Sequence, residues 1–243
     1  MANILRDKEI LETARHEAYS FVGSGVAGDA TVRAELMTAI AYIRDHWQRR
    51  YGLIQVGEMR VIGGVFRSRR LESLPGLSTR PTPDRMRETL FNILQPVLEG
   101  CIFVDAYAGT GAVGIEAISR GASKAIFLER NPAAVAVIRE NLKSLSIGPD
   151  RGRVIPGAAT AGLSMACDVG NSIVFLDPPY EKTSEYESSL SWLGSHAPTI
   201  VIVQHPSKFD AGERHGRLER YRTVKQGDNS LSFYRAETTQ AIP

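Results

Sequence analysis

The sequence has few cysteines and no long apolar run. Only Cys101 and Cys167 occur among its 243 residues, too few for a disulfide framework or a four-cysteine zinc site. No stretch approaches the roughly 18 apolar residues of a membrane-spanning helix. The first residues also alternate in charge, whereas a signal peptide would be apolar there. We therefore expect a cytoplasmic protein that needs no disulfide, metal or membrane to fold.

The chain also lacks a dominant charge. Its net charge is +2, and its 43% hydrophobic content is typical of a globular domain and excludes disordered and collagen-like classes. The arginines are nevertheless unevenly placed, because residues 59–95 hold only three acidic residues but seven arginines: Arg60, Arg67, Arg69, Arg70, Arg80, Arg85 and Arg87. Such a concentration is expected of a surface that binds a phosphate backbone, although a solvated basic surface has the same composition.

The chain divides into two predicted parts. Residues 4–19 and 30–50 carry apolar residues at helical spacing, so residues 1–58 are predicted to be a helical N-terminal extension. A second domain is predicted over residues 59–243. Within it, residues 59–80 are expected to form a β-hairpin around Gly63 and Gly64 with a basic loop, and residues 81–243 the core.

The core alternates short apolar strands with helices. Strands are predicted over residues 102–106, 125–129, 153–156, 173–176 and 199–204, and helices over residues 82–97, 112–120, 132–145, 159–166 and 185–193. This alternation predicts an α/β fold whose parallel sheet is covered on both faces. An antiparallel hairpin, residues 218–224 and 231–234, is expected to complete the sheet edge.

A glycine-rich turn follows the first predicted strand. Gly109, Gly111 and Gly114 match G-x-G-x-x-G, and Glu129 ends the next strand 20 residues after Gly109. Such glycines let the backbone approach a cofactor, and a carboxylate at that position can bind ribose hydroxyls. A glycine-rich turn without a ligand is the alternative. The charge of Asp105 favours a cationic cofactor such as S-adenosylmethionine over a dinucleotide, whose pyrophosphate it would repel.

A second motif follows the fourth predicted strand. Asp177, Pro178, Pro179 and Tyr180 would lie at the same sheet edge as the glycine-rich turn. A carboxylate and a backbone carbonyl held by two prolines can accept both N–H bonds of an exocyclic amine, and so aim its lone pair at a methyl donor. The tyrosine ring offers a flat surface for a flipped-out base. A plain Asp-Pro-Pro turn is the structural alternative.

Together these segments resemble a known family. The sequences D-A-Y-A-G-T-G, F-L-E-R-N and D-P-P-Y, preceded by R-V-I-G-G and R-P-T-P-D-R-M-R-E-T-L-F-N-I-L, are similar to the RsmD family of class I methyltransferases. The resemblance covers about residues 59–235. It implies a Rossmann-like seven-stranded sheet with an N-terminal β-hairpin that contacts RNA. It also implies transfer of a methyl group from S-adenosylmethionine to guanine N2 in 16S ribosomal RNA of the small ribosomal subunit.

The resemblance also implies roles for individual residues. Asp177, Pro178, Pro179 and Tyr180 would hold the guanine, while the concentration of positive charge predicts that the seven arginines bind RNA. The cofactor would be held by Asp105, Ala108, Gly109, Gly111, Glu129, Arg130 and Ala158. Many methyltransferases read adenine with a polar side chain after the third strand, where this chain has Ala158. We therefore expect backbone groups to read adenine here.

Three other functions remain open at this point. An adenine-N6 or protein amine methyltransferase would also use Asp-Pro-Pro-Tyr or a related motif. A nicotinamide-dependent oxidoreductase would use the glycine-rich turn, and a non-catalytic RNA-binding protein would use the arginines alone. His205 without a placed partner is expected to be structural. The histidines and cysteines lack metal-ligand spacing, so no metal is expected, and we expect a monomer.

Overall fold

The computed structural model describes residues 59–73, 84–166 and 172–236. The chain divides into two units, Met1–Gly57 and Glu58–Pro243, and all described residues lie in the second. The predicted N-terminal helices, Arg80 and Cys167 therefore lie outside the described residues. Among the described helices, none is long and apolar enough to cross a membrane.

The described residues form five helices and eight strands, which alternate as far as β5. The helices are α1 Asp84–Leu98, α2 Ala112–Ser119, α3 Pro132–Ser144, α4 Ala159–Ala166 and α5 Thr183–Ser195. The strands are β1 Ile102–Asp105, β2 Lys124–Glu129, β3 Gly152–Pro156, β4 Ser172–Leu176, β5 Ile200–Pro206, β6 Arg214–His215, β7 Leu218–Gln226 and β8 Asn229–Ala236. The predicted α/β fold is confirmed, with strand and helix ends within a few residues of the expected positions.

The sheet has the strand order β3-β2-β1-β4-β5-β8-β7-β6. The first five strands are parallel, and β8, β7 and β6 add to β5 in antiparallel pairs. The sheet has eight strands where seven were expected, because the two-residue strand β6 pairs with the outer edge of β7. Central strands β1 and β4 lie where the crossover direction reverses, which places the turns after them side by side at one edge of the sheet.

Successive residues of each central strand pack on opposite sides of the sheet. Phe103 joins the apolar cluster with α1 and α2, whereas Val104 joins the cluster with α4 and α5. Helix α3 covers the same side as α2, through Ile138 and Leu142 against Phe127. Both faces are therefore buried, as the near-continuous apolar strands predicted.

The β-hairpin predicted within residues 59–80 is present but short, because Val61 N donates to the Arg69 carbonyl at 3.0 Å and Leu71 N to the Met59 carbonyl at 2.7 Å. A single antiparallel bridge joins Arg60 to Arg70, and a 3-10 turn, Gly64–Phe66, closes the loop between them. Next to this pairing, the backbone N–H groups of Ile62 and Gly63 donate to the Glu116 carboxylate of α2, at 2.7 and 2.8 Å. We call residues 59–73 the docked loop.

Candidate active site

The glycine-rich turn links β1 to α2. Gly109 and Gly111 adopt φ values of 54° and 79°, a left-handed backbone that glycine adopts without strain. Gly114 lies against the Phe127 ring, where a Cβ atom would overlap the ring. The three glycines therefore permit a tight turn that packs closely on β2.

Two carboxylates face this turn from neighbouring strand ends. Asp105 is only 2% exposed, and its Oδ2 accepts a hydrogen bond from Gly114 N at 3.0 Å. Burial raises the pKa of Asp105 to about 7, and the nearby negative charge of Glu129 adds to the shift. Glu129 accepts hydrogen bonds from Gly109 N at 2.8 Å and Asn131 N at 2.7 Å. The structure thus places the predicted Asp105 and Glu129, at the ends of β1 and β2, around the turn that contains Ala108, Gly109 and Gly111.

The two remaining predicted cofactor residues flank that turn. Arg130 follows β2, and its Nη1 lies 3.4 Å from Oε1 of Glu185 on α5. Ala158 follows β3 and is exposed. Its carbonyl oxygen accepts a hydrogen bond from Gly162 N at 3.0 Å, so that oxygen takes part in the first turn of α4.

The Asp177–Tyr180 loop follows β4, at the same sheet edge as the glycine-rich turn. Gln204 Nε2 donates to Asp177 Oδ2 at 3.0 Å, and Tyr186 Oη donates to the carbonyl of Pro178 at 3.3 Å. Tyr180 donates its hydroxyl hydrogen to Asn229 Oδ1 at 2.9 Å, while 38% of the residue remains exposed. The loop is held by side chains, and its tyrosine ring stays accessible.

Sequence reasoning missed the residues that hold this loop. Gln204 is buried in β5, Tyr186 is buried in α5, and Asn229 begins β8. A polar glutamine at the end of the apolar run I-V-I-V was a usable signal, because a buried amide needs hydrogen-bond partners. The hydrogen bond to Asn229 depends on the pairing of β8 with β5 and had no local signal.

His205 has a structural role, as expected. The residue is 3% exposed, and its ring nitrogens lie 2.9 Å from the Pro206 carbonyl oxygen and 2.9 Å from Ser232 Oγ. Burial lowers the pKa of His205, which keeps the ring neutral at physiological pH. Both nitrogens have protein partners inside the sheet, so this side chain is not poised for catalysis.

Five of the predicted RNA-binding arginines are exposed. Arg60, Arg67, Arg69 and Arg70 lie on the docked loop and Arg85 on α1, and Arg69 also donates to the Ser144 carbonyl at 2.9 Å. The prediction for Arg87 is wrong, because this residue is only 1% exposed. Its guanidinium donates to the Arg60 carbonyl at 2.7 Å and to Asp84 at 3.1 Å. Arg87 supports the docked loop from beneath.

Helix α2 connects the docked loop with the glycine-rich turn. Near its N-terminus Gly114 N donates to Asp105, and at its middle the buried Glu116 accepts hydrogen bonds from the loop. Glu116 also accepts from Arg120 Nε at 2.6 Å. A second link runs through the buried Asn141, whose amide binds Glu72 N and O and the Thr110 carbonyl. The docked loop with its arginines and the glycine-rich turn are therefore both hydrogen-bonded to α2 and to Asn141 or its neighbours.

The described residues hold no candidate metal site. Across residues 59–73, 84–166 and 172–236, no three His, Cys, Asp or Glu side chains are grouped so that they could hold a metal ion. At the sheet edge, Asp105 and Glu129 accept hydrogen bonds from backbone N–H groups, and Asp177 accepts one from Gln204.

Known proteins resemble this chain over most of its second unit. The family model described as conserved hypothetical protein 95 matches residues 59–235. Ribosomal RNA small subunit methyltransferase D of Haemophilus influenzae is 38% identical over 154 residues, which cover 61% of this chain and 80% of that protein. The protein of the same name from Escherichia coli is 38% identical over 150 residues, which cover 60% of this chain and 74% of that protein.

Solved structures show the same fold. The Escherichia coli protein yhhF superposes with a TM-score of 0.65 at 30% identity, covering 74% of this chain and 99% of that one. An RNA methyltransferase from Salinibacter ruber, solved in complex with S-adenosyl-L-homocysteine, gives a TM-score of 0.51 at 21% identity, covering 67% of this chain and 96% of that one.

Proposed function

Because the chain belongs to the RsmD family of methyltransferases, matched over residues 59–235, we propose that it methylates guanine N2 in 16S ribosomal RNA. The family makes it a class I methyltransferase that uses S-adenosylmethionine and acts on ribosomal RNA. One observation carries the finer proposal: the Asp177–Tyr180 loop and the glycine-rich turn lie at the same edge of the sheet. The site of the methyl donor and the site of the methyl acceptor would then lie next to each other.

The residues of the turn fit the cofactor. S-adenosylmethionine supplies an electrophilic methyl group on a cationic sulfur, and it also carries an amine, a ribose and an adenine. Asp105 with the backbone of Ala108, Gly109 and Gly111 would hold the cationic methionine end, because a buried carboxylate gains from an opposite charge. Glu129 would bind the ribose hydroxyls, and Arg130 and Ala158 would flank the adenine.

The Asp177–Tyr180 loop would hold the guanine. The Asp177 carboxylate and the Pro178 carbonyl would accept the two N–H bonds of the exocyclic amine and direct its lone pair at the methyl carbon. The N–C bond forms as the C–S bond breaks, and the amine proton then leaves through Asp177 to water. Asp177 would offset the positive charge that develops on nitrogen, and the exposed Tyr180 ring would stack on the base.

The exposed arginines would position the RNA. Arg60, Arg67, Arg69, Arg70 and Arg85 are exposed, and we propose that they bind phosphates together with Arg80. Phosphate contacts set orientation and affinity, whereas the loop around Asp177 selects the base. This division assigns Arg87 to support of the loop and not to RNA.

The decisive experiment is transfer of a labelled methyl group. Small ribosomal subunits that lack the native modification would be incubated with the enzyme and labelled S-adenosylmethionine, and the modified nucleotide would be mapped. We expect label on N2 of one guanine of 16S RNA. Label on adenine N6 or on protein would instead support the alternative amine methyltransferases.

A further inference from the structure

The adenine end of the cofactor site lacks a side-chain acceptor at the usual position. Adenine carries an exocyclic amine that must donate hydrogen bonds when it leaves water. Ala158 has no polar side chain, and its carbonyl oxygen, which accepts from Gly162 N, points along the axis of α4 into the helix. The N–H groups at the start of α4 are donors, so they can pair with ring nitrogens but not with an amine.

A carboxylate from another element reaches this region. Glu185 lies in the first turn of α5, and its Oε2 accepts from the Tyr107 hydroxyl at 3.0 Å. Its Oε1 lies 3.4 Å from Arg130 Nη1. Tyr107 belongs to the glycine-rich turn and Arg130 directly follows Glu129, the proposed ribose ligand. The carboxylate of Glu185 therefore lies between two residues that border the adenosine site.

This carboxylate is held in place yet remains accessible. The Tyr107 hydroxyl, which also lies 3.0 Å from Ser189 Oγ, fixes one oxygen. The Glu185 side chain is 25% exposed and that of Arg130 is 53% exposed. A planar ligand can thus reach both groups. Binding would replace part of the Arg130–Glu185 ion pair, which is partly exposed and contributes little to stability, with a hydrogen bond from the ligand to the Glu185 carboxylate.

We infer that Glu185 accepts a hydrogen bond from the exocyclic amine of adenine and takes over the role that Ala158 cannot fill. Arg130 lies against the adenine ring and keeps the carboxylate oriented. This inference rests on the proposed function, in which the adenosine lies beside Glu129 and Arg130. It replaces the expectation that backbone groups alone read adenine.

The test compares two ligands by calorimetry, without any methyl transfer. One is S-adenosylhomocysteine, and the other is S-inosylhomocysteine, in which a carbonyl replaces the amine and accepts where the amine donates. The wild-type chain is expected to bind the adenosine compound at least tenfold more tightly. Glu185→Ala is expected to weaken binding of that compound about tenfold and to leave the inosine compound within twofold, so that the preference disappears.

Two further variants separate recognition from support of the turn. Glu185→Gln can donate to a carbonyl or accept from an amine, so it is expected to bind the two ligands with similar affinity. Glu187→Ala removes an exposed carboxylate from the same helix and is expected to keep the wild-type preference.

Two results would overturn the inference. Equal weakening of both ligands by Glu185→Ala would leave Glu185 as a support for Tyr107. An unchanged preference in Glu185→Ala would favour a backbone acceptor. Failure of the proposed function can be told apart from failure of this inference. If the enzyme methylates a base other than guanine, the wild-type chain should still prefer the adenosine compound, and Glu185→Ala should still lose that preference.

Discussion

Asp105 is a buried carboxylate whose charge changes close to neutral pH. Its pKa is raised to about 7, compared with roughly 3.9 for an exposed aspartate, because burial disfavours the charged form. At pH values between these two pKa values, Asp105 is protonated in the folded chain and ionised in the unfolded chain. The free energy of unfolding therefore falls as pH rises through that range. The ionised form is the one that attracts a cationic amine.

We therefore expect S-adenosylhomocysteine to bind more tightly as pH rises from 5.5 to 7 and to level off above it. Below this pKa most molecules carry a neutral Asp105, so binding of a cationic ligand there should release a proton. Calorimetry in two buffers of different ionisation enthalpy measures that release. Asp105→Asn should bind more weakly at pH 7, by a factor that shrinks as pH falls, and should show no release, and a pH-independent affinity in the wild type would contradict the proposed role.

Asp177 is expected to act on the acceptor and not on the cofactor. Asp177→Ala should reduce the single-turnover rate by about 10²–10³, the usual cost of losing one preorganised electrostatic partner, while S-adenosylhomocysteine affinity stays within a few-fold. Asp177→Asn should keep more activity than alanine if hydrogen-bond orientation dominates, and should resemble alanine if charge dominates.

The matched control for Asp177 is Asp150→Ala, which removes an exposed carboxylate at the turn before β3. This variant should keep the wild-type rate and affinity. A near-normal rate in Asp177→Ala would remove the loop after β4 from the guanine site.

At the scale of elements, the docked loop depends on glycines that let its backbone approach α2. Gly64 has a φ of 76°, and a Cβ atom there would overlap the Ser119 carbonyl. Gly64→Ala should therefore destabilise the loop by about 1–3 kcal/mol and weaken RNA binding, with little effect on S-adenosylhomocysteine. Gly148→Ala is the control, because a Cβ atom there would have no atom of the described residues within 4 Å apart from its chain neighbours. Equal RNA affinity in both variants would show that docking is not required.

The arginines of the docked loop are expected to contribute electrostatically. Arg67→Glu combined with Arg70→Glu should weaken RNA binding and reduce the slope of log affinity against log salt by about 0.7 for each phosphate that is no longer bound. Arg139→Glu with Arg153→Glu changes two exposed arginines on α3 and β3 by the same charge. That control should keep the wild-type slope, whereas an unchanged slope in the first variant would place the RNA elsewhere.

The elements of the core could be predicted because their signals are local. Apolar runs bounded by glycine, proline or aspartate marked β1 and β4, and the motifs after these strands placed both halves of the candidate site. The docked loop could not be predicted in this way. Its backbone pairs with Glu116, more than 50 residues later in the sequence, and nothing near Arg87 indicates that its guanidinium would be buried beneath the loop. Long-range pairing of this kind accompanies the short local hairpin and has no local signal in the sequence.

At the scale of the whole chain, the residues of the candidate site come from both ends of the second unit. The docked loop lies at its start, whereas Gln204 and Asn229, which hold the Asp177–Tyr180 loop, come from β5 and β8. Residues 59–236 therefore contain both the turn and the side chains that hold the acceptor loop. The sheet closes with β8 inserted between β5 and β7, so the C-terminal hairpin belongs to the catalytic core and not to an appended module.

We expect a chain that begins at residue 59 to fold and to bind S-adenosylhomocysteine with the affinity of the full-length chain. The reason is that every side chain assigned to the cofactor follows that point, and the unit Glu58–Pro243 contains all eight strands of the described residues. Calorimetry and thermal unfolding of both chains provide the measurement. RNA affinity measured in parallel will show whether residues 1–58 take part in docking, since the truncated chain keeps all seven arginines. Loss of S-adenosylhomocysteine binding on truncation would show that the first 58 residues complete the methyltransferase core.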